Sequence, residues 1–266
     1  MKKMIGLLLT LALPLTSVVA ADLTTILSGD HRSAENRQRD EFRHPQETLD
    51  FFAIDASMTV VEIWPGTGWY TEILAPLLKG QGKLYAAHFS SESPVPYFNK
   101  VRKDFANKLA ANPAVYSEVE LVEFNPGLGV LGIADNSADR VVTFRNVHNW
   151  LRDSSEEQAF ALFYKALKPG GLLGVVEHRA PQGKDRQWML DKGYMTEAAV
   201  IELAEKAGFK LVAKSEINAN PLDNSDHPAG VWSLPPTLRL GDTDREKYIA
   251  IGESDRMTLL FRKVEE

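Results

Sequence analysis

Hydrophobic residues along this chain form short continuous runs that alternate with stretches of helical periodicity. The clearest run, residues 58–63, is rich in β-branched side chains, which is typical of a buried strand in a parallel sheet. Gly66 and Gly68 follow this run, and the apolar side chains of residues 71–78 then fall on one helical face. The pattern predicts a strand, a glycine turn and a helix, in which backbone N–H groups can approach a bound ligand.

The same alternation continues along the rest of the chain. Further strands are predicted at residues 83–88, 118–124, 139–144, 172–177, 210–217 and 257–264. Strands that alternate with helices must run parallel, which indicates an α/β fold with a doubly wound, Rossmann-like, seven-stranded sheet. Because no helix is predicted between the last two strands, we expect them to form a C-terminal antiparallel pair at one edge.

Local signals predict where several helices begin and end. A helix is expected over residues 94–111, and Ser154 with Glu157 suggests a capping box for the helix that ends before Pro169. Thr196 is expected to cap the helix over residues 197–207, which Gly208 would end.

The start of the chain has the pattern of a cleavable secretory signal peptide. Lys2 and Lys3 precede an apolar segment, and small residues around Ala20 and Ala21 suit cleavage. The alternative is a membrane anchor, but the apolar run is shorter than the roughly 20 residues that a spanning helix needs. We therefore expect a periplasmic or secreted protein without stable membrane insertion after cleavage.

Composition narrows the classes of function. The formal net charge of the 266 residues is −6, and it becomes −8 once Lys2 and Lys3 are removed with the signal peptide. An acidic chain gives no reason to expect nucleic acid or an anionic membrane as a partner, so a small-molecule or peptide substrate is expected. The absence of cysteine excludes disulfides, thiolate metal sites and cysteine nucleophiles.

The remaining chain is long enough for one domain with additions. We expect residues 1–21 to be the signal peptide, residues 22–56 an N-terminal helical cap, and residues 57–266 the main domain. Residues 218–254, rich in Pro, Asp and Asn, form a long insert between the last two strands. An insert of this length is either functional or disordered.

Residues 62–68 resemble motif I of the class I S-adenosylmethionine (SAM)-dependent methyltransferases, whose pattern is acidic-x-Gly-x-Gly-x-Gly. Glu62 matches the acidic position, Gly66 and Gly68 match the second and third glycines, and Trp64 replaces the first. Residues 167–171, Leu-Lys-Pro-Gly-Gly, resemble the turn that commonly precedes the fifth strand of that family. The layout as a whole is similar to a poorly characterised group of exported predicted methyltransferases.

The resemblance implies a site for SAM around this motif. Glu62, Trp64, Gly66 and Gly68 would pack against its methionine and ribose parts. His88 lies where the family has an acid that binds the ribose hydroxyls, and Asn125 lies near the position of an aspartate that binds adenine. The residues alone also allow a tight turn without ligand, a strand-end histidine, and an asparagine that forms a turn before a proline.

Polar residues directly after the fourth and fifth predicted strands are the candidates for chemistry, because ligands of such sheets bind at the carboxyl ends of strands. They are Arg145, Asn146, His148, Trp150, Glu177, His178 and Arg179. His148 or His178 could act as general base, and Asn146 could orient a substrate. Arg145, Trp150 and Arg179 are the candidates for binding the substrate, since an arginine suits a carboxylate or phosphate.

No spacing of histidines and acids matches a known metal motif, and we predict no metal site. The preferred hypothesis is a SAM-dependent methyltransferase that acts on a small molecule or peptide nucleophile in the cell envelope. The alternative is a non-catalytic periplasmic binding or accessory protein that reuses the fold, which the residues at positions 64 and 88 favour. A nicotinamide-dependent enzyme is a third reading, but Thr71 stands where the dinucleotide fingerprint needs its last glycine.

Overall fold

The computed structural model describes residues 22–264, so the predicted signal peptide lies outside the described part of the chain. The N-terminal segment forms four short helices, α1 (Leu23–Ser28), α2 (Ala34–Gln38), α3 (Asp40–Arg43) and α4 (Pro45–Phe51). Phe52, directly after α4, is fully buried against the sheet, and a Cβ atom added to Gly174 would lie only 2.7 Å from its ring. The N-terminal helices are therefore packed onto the sheet.

The sheet contains eight strands in the described residues. They are β1 (Thr59–Ile63), β2 (Lys83–His88), β3 (Val119–Asn125), β4 (Val130–Leu131), β5 (Ala138–Phe144), β6 (Leu167–His178), β7 (Phe209–Ser215) and β8 (Arg256–Lys263). The other helices are α5 (Thr71–Leu78), α6 (Pro96–Ala111), α7 (Pro113–Tyr116), α8 (Val147–Arg152), α9 (Glu156–Ala166), α10 (Arg186–Lys192), α11 (Glu197–Lys206) and α12 (Arg245–Ile251).

The strand order is β4-β3-β2-β1-β5-β6-β8-β7. Strands β3, β2, β1, β5 and β6 pair in parallel, whereas β8 runs antiparallel to both β6 and β7. The predicted α/β sheet and its antiparallel C-terminal pair are thus confirmed. The predicted number of seven strands is one too low, because the two-residue β4 pairs with the end of β3 after a short turn. A two-residue strand is too short to leave a hydrophobic pattern.

Two apolar clusters fill the space on the two sides of the sheet. The cluster on one side contains the aromatic rings of α8 and α9, and the other contains the apolar side of α5 with Leu49 and Phe52 of the N-terminal segment. Burial on both sides explains why the central strands show continuous apolar runs. Within residues 22–264, no helix has the length and hydropathy needed to cross a membrane.

The helix ends agree with the sequence in one case and differ in another. Thr196 accepts a hydrogen bond from the Ala199 N–H as the predicted cap of α11. The predicted capping box of α9 is wrong, because Ser154 has a left-handed backbone with φ 51° and Ser155 occupies the N-cap without a side-chain hydrogen bond.

Candidate functional site

A cavity of about 360 Å³ opens at the carboxyl ends of β1, β5 and β6. Its walls come from these strand ends, from α3 and from the insert between β7 and β8. The insert contributes Trp232, which lies within the 3-10 turn Gly230–Ser233. The cavity brings together seven of the residues predicted to form the site: Glu62, Trp64, Gly66, Arg145, Asn146, His148 and His178.

His148 and Glu177 form a hydrogen-bonded pair at one side of this cavity. The Nδ1 atom of His148 lies 3.0 Å from Oε1 of Glu177, whose side chain is fully buried. Glu177 also accepts the backbone N–H of Val147 at 2.6 Å and that of His178 at 2.7 Å. These donors stabilise the carboxylate, so Nδ1 of His148 carries the proton and Nε2 keeps a lone pair.

His178 lies beside this pair, with its ring centre 5.1 Å from that of His148. Its Nδ1 atom lies 2.5 Å from the Ser254 hydroxyl. Burial first, and then the positive charges of neighbouring groups, lower the pKa of His178 well below its usual value. His178 is therefore a neutral, hydrogen-bonded ring near neutral pH.

Within the described residues, His148, Glu177 and His178 place their ligand atoms within 4.8 Å of one another, close enough to hold a metal ion. However, the carboxylate of Glu177 already accepts hydrogen bonds from a ring nitrogen and two backbone N–H groups. The charges of Arg145 and Arg256, which disfavour a proton on His178, would also repel a divalent cation. The arrangement fits a histidine oriented by a carboxylate better than a metal centre.

Two predicted residues line the cavity with their polar atoms engaged inside the protein. Burial raises the pKa of Glu62 to about 7, while the Thr71 hydroxyl, which donates to Oε2 at 2.6 Å, opposes that rise. The amide nitrogen of Asn146 donates to the Ile63 carbonyl at 2.9 Å and to the Thr143 hydroxyl at 3.1 Å. Asn146 thus ties the ends of β1 and β5 together.

Trp64 separates the cavity from a second cleft of about 290 Å³ beyond the ends of β2 and β3. Its backbone is left-handed, with φ 44°, a conformation that glycine adopts freely and tryptophan rarely does. The indole lies 4.7 Å from the Phe89 ring and 5.7 Å from those of Phe124 and Trp150. Its Nε1–H donates to the Phe124 carbonyl at 3.2 Å.

The other residues predicted to bind the cofactor have roles within the fold. His88 is fully buried, accepts the Phe89 N–H at Nδ1 and contacts the Gly66 carbonyl through Nε2 at 3.2 Å, so no ring nitrogen is left for a ribose hydroxyl. Burial lowers the pKa of His88 to about 4. Asn125 borders the second cleft, where its side chain caps the turn Pro126–Leu128.

The third motif glycine, Gly68, is also explained by packing. A Cβ atom there would lie 2.9 Å from the Phe105 ring of α6, and its φ of 85° favours glycine. Gly68 does not line the cavity, whereas Gly66 does and has open space where its Cβ would be.

Two residues predicted to bind the substrate lie elsewhere. Trp150 is fully buried in the apolar cluster beneath the cavity, so the prediction that it walls the pocket is wrong. Arg179 lines a different cleft and is held by Asp255 at 2.9 Å, Glu216 at 2.7 Å and Glu197 at 3.3 Å. Because three acids already surround its guanidinium, Arg179 has no unpaired charge with which to bind a substrate.

The residues that sequence reasoning missed form the opposite wall of the cavity. They are Arg39, Arg43, Trp232 and Arg256, which line the cavity, and Glu253, which pairs with the arginines from behind that lining. They come from the N-terminal helices and from the end of the insert. No motif or spacing connects segments so far apart, although the charged run Glu-Ser-Asp-Arg at residues 253–256 directly precedes a buried strand.

The chain matches no protein-family model and no curated protein sequence. Its structure is similar to that of a SAM-dependent methyltransferase from Aquifex aeolicus, with a TM-score of 0.58 and 16% identity over 92% of this chain and 100% of that one. The fold is that of the SAM-dependent methyltransferases.

Two further structures show how broadly this fold is used. The [4+2]-cyclase SpnF has a TM-score of 0.58 and 17% identity over 90% of this chain and 86% of its own. An arsenic(III) SAM methyltransferase from Chlamydomonas reinhardtii has a TM-score of 0.50 and 14% identity over 80% of this chain and 66% of its own. A cyclase and methyltransferases thus share one fold, so the reaction must be argued from the site.

The site can be tested against SAM itself. By the resemblance, SAM would reach from the cavity across the glycine turn to the cleft beyond β2 and β3. The Trp64 indole stands between these two spaces, and the nitrogens of His88 are already used. SAM therefore does not fit this site while Trp64 holds its present position.

Proposed function

We propose that the protein is an enzyme of the methyltransferase fold that acts on a small molecule bound in the cavity, with His148 as its general base. The observation that carries this proposal is the His148–Glu177 pair at the cavity wall. A general base needs a lone pair toward the substrate and a partner that fixes its tautomer. Glu177 supplies that partner through Nδ1.

The residues of the chain account for the proton transfer. A substrate O–H or N–H group near Nε2 of His148 would give its proton to that nitrogen and become a stronger nucleophile. The buried side chain of Glu177 would stabilise the resulting imidazolium, and the backbone N–H groups of Val147 and His178 hold that side chain in place. The burial of this corner favours the reaction, because water cannot compete for the same hydrogen bonds.

Methyl transfer from SAM to a small molecule or peptide nucleophile is the first candidate reaction, and it would require the Trp64 indole to move. The signal-peptide pattern supports a role in the cell envelope. The geometry of Trp64 and His88 supports a second candidate, a ligand-binding or accessory protein that has kept the fold without the cofactor. The position of the Trp64 indole separates the two candidates.

Calorimetric titration of the chain from Asp22 onward with SAM and S-adenosylhomocysteine tests the cofactor. Trp64→Gly restores the glycine of the motif, and Trp188→Ala removes an indole outside the cavity as the control. Micromolar binding, about −8 kcal/mol, by the unchanged protein would mean that Trp64 moves aside and would support methyl transfer. Binding by Trp64→Gly alone would mean that the indole excludes SAM.

Replacing His148 tests the enzyme itself. Once a turned-over compound is found, His148→Gln is expected to lower kcat by about 10²–10⁴-fold while substrate affinity stays within a few-fold. Equal losses in affinity and kcat would make His148 a binding residue. A bound compound that is never converted, in a folded protein, would favour the non-catalytic candidate.

A further inference from the structure

Three distant parts of the sequence bring four arginines to one wall of the cavity around a single acid. Arg39 lies 2.6 Å from Glu253, Arg43 lies 3.1 Å from it, and Arg145 lies 3.8 Å from it. Arg256 also donates to Glu253. The four guanidinium groups border the cavity, whereas Glu253 stands behind them and is not part of its lining.

This wall has more positive charge than the protein neutralises. The four arginines hold the pKa of Glu253 far below its usual range, so the acid carries one full negative charge. Of the other titratable groups that line the cavity, His178 is neutral, and Glu62, whose pKa burial raises to about 7, is only partly ionised near neutral pH. An excess of between two and three positive charges therefore faces the cavity.

Burial and the excess of positive charge also lower the pKa values of two of these arginines. Burial and then the charge of Arg256 lower the pKa of Arg145 to about 10, and burial followed by the charge of Arg145 lowers the pKa of Arg43. Like charges held together in a buried place raise the free energy of the folded state unless an opposite charge joins them.

Some donors of this cluster also lack partners inside the protein. Nη2 of Arg43 and Nε of Arg256 are buried and make no hydrogen bond, and both side chains are only 3% exposed. Buried N–H groups of charged side chains are costly when unpaired. Both residues line the cavity, so a small shift of their side chains toward a bound ligand would give these N–H groups acceptors.

We propose that this wall binds a small organic oxyanion, a carboxylate or phosphate compound carrying at least two negative charges. Guanidinium groups bind both kinds of oxyanion in paired hydrogen bonds. The stacked rings of Tyr70 and Phe144, 3.5 Å apart, also border the cavity and offer an apolar surface for the rest of the molecule. SAM is a poorer match for this charge, because its sulfonium and ammonium groups outweigh its one carboxylate.

The inference deepens the proposed function, since it rests on the same cavity and places the anion beside His148. Its failure can nevertheless be told apart from failure of the proposed function. The measurement is binding of simple anions, which needs neither turnover nor SAM.

The test is calorimetric titration of the chain from Asp22 onward with inorganic phosphate, malonate and acetate at low ionic strength. We expect phosphate or malonate to bind with a Kd of about 1 mM or lower, at least tenfold tighter than acetate, and more weakly as salt rises. Tighter binding of phosphate than of malonate would point to a phosphate compound, and the reverse order to a dicarboxylate.

Arg145→Gln is the informative variant, because Arg145 is one-quarter exposed and makes the longest contact to Glu253. It is expected to weaken binding at least tenfold. Arg262→Gln, an exposed position on β8 outside the cavity, removes the same charge and is expected to leave the affinity unchanged. No binding by the folded, unchanged protein, or equal losses in both variants, would overturn the proposal.

Discussion

On one side of the Trp64 indole the strand ends carry an open, charged cavity, and on the other they carry packed aromatic rings. In the fold to which this chain is similar, one long ligand would be expected to use both sides. Here the indole has divided that edge. On the aromatic side Trp64 and His88 have hydrogen-bond partners inside the protein, and the unpaired Nε1 of Trp150 is a neutral donor, whereas the charged side leaves charged donors and net charge unmatched. The difference favours the charged side as the place for binding.

The first test of this division removes Trp150, whose ring packs against that of Trp64. Trp150→Ala is expected to lower the free energy of unfolding by about 3–5 kcal/mol, because a fully buried indole leaves a large cavity. Urea denaturation measures the change. The control is Trp232→Ala, which is expected to lower stability less because Trp232 is only half-buried. If Trp150→Ala kept its stability and lost ligand affinity instead, Trp150 would belong to the binding side.

The second test removes the acid that pairs with the four arginines of the charged side. Glu253→Gln is expected to lower the free energy of unfolding by about 3 kcal/mol near neutral pH, since it leaves four buried or half-buried arginines without their acid. The pKa of Glu253 is lowered in the fold, so its contribution is present above pH 4.5 and is lost as pH falls further. The difference in stability between the variant and the unchanged protein, measured by unfolding curves from pH 3 to pH 8, should therefore be constant above about pH 5 and shrink, without vanishing, as pH falls from about 4.5 to 3.

The matched control for Glu253 is Glu216→Gln, which removes one acid from the group around Arg179. Glu216 is 69% exposed, so its loss is expected to cost under about 1 kcal/mol. Phosphate should stabilise Glu253→Gln more than it stabilises Glu216→Gln or the unchanged protein, because only Glu253→Gln leaves the wall without its acid. Equal losses of unfolding free energy in the two variants would mean that Glu253 contributes no more to stability than an exposed acid does.

The third test concerns Glu62, at the border of the two sides. Burial raises its pKa to about 7, so the folded state favours the protonated acid, and stability is lost as pH rises from about 4.5 to 7. Glu62→Gln removes this dependence and should gain up to about 3 kcal/mol on the unchanged protein between pH 4 and pH 8. The exposed Glu205→Gln serves as control, and a constant difference across this range would refute the prediction.

The smallest effect is expected on the aromatic side, at Asn125. Asn125→Ala should cost about 1 kcal/mol, because the side chain caps the turn Pro126–Leu128. The affinity for anions should stay the same. A loss of ligand binding without a loss of stability would make Asn125 a ligand contact, as the sequence suggested.

The sheet and most of its order were predictable because hydrophobic periodicity is a local signal. Residues 58–63 and the last two strands needed only their own patterns and the absence of a helix between them. The capping box at Ser154 failed because Ser154 has a left-handed backbone and the helix starts one position later. His88 was misread for another reason: the sequence shows a histidine at a strand end, but not that its ring nitrogens are already engaged.

The pairing of Arg39 with Glu253 joins residues 214 positions apart. A ribosome therefore has to synthesise the chain through Arg256 before this wall can exist, and closing so long a loop is slow compared with forming local helices. A fragment that ends before residue 253 has none of Glu253, Ser254 and Arg256, even if its central strands pair. Formation of the binding wall thus reports that the two distant ends of the described fold have met.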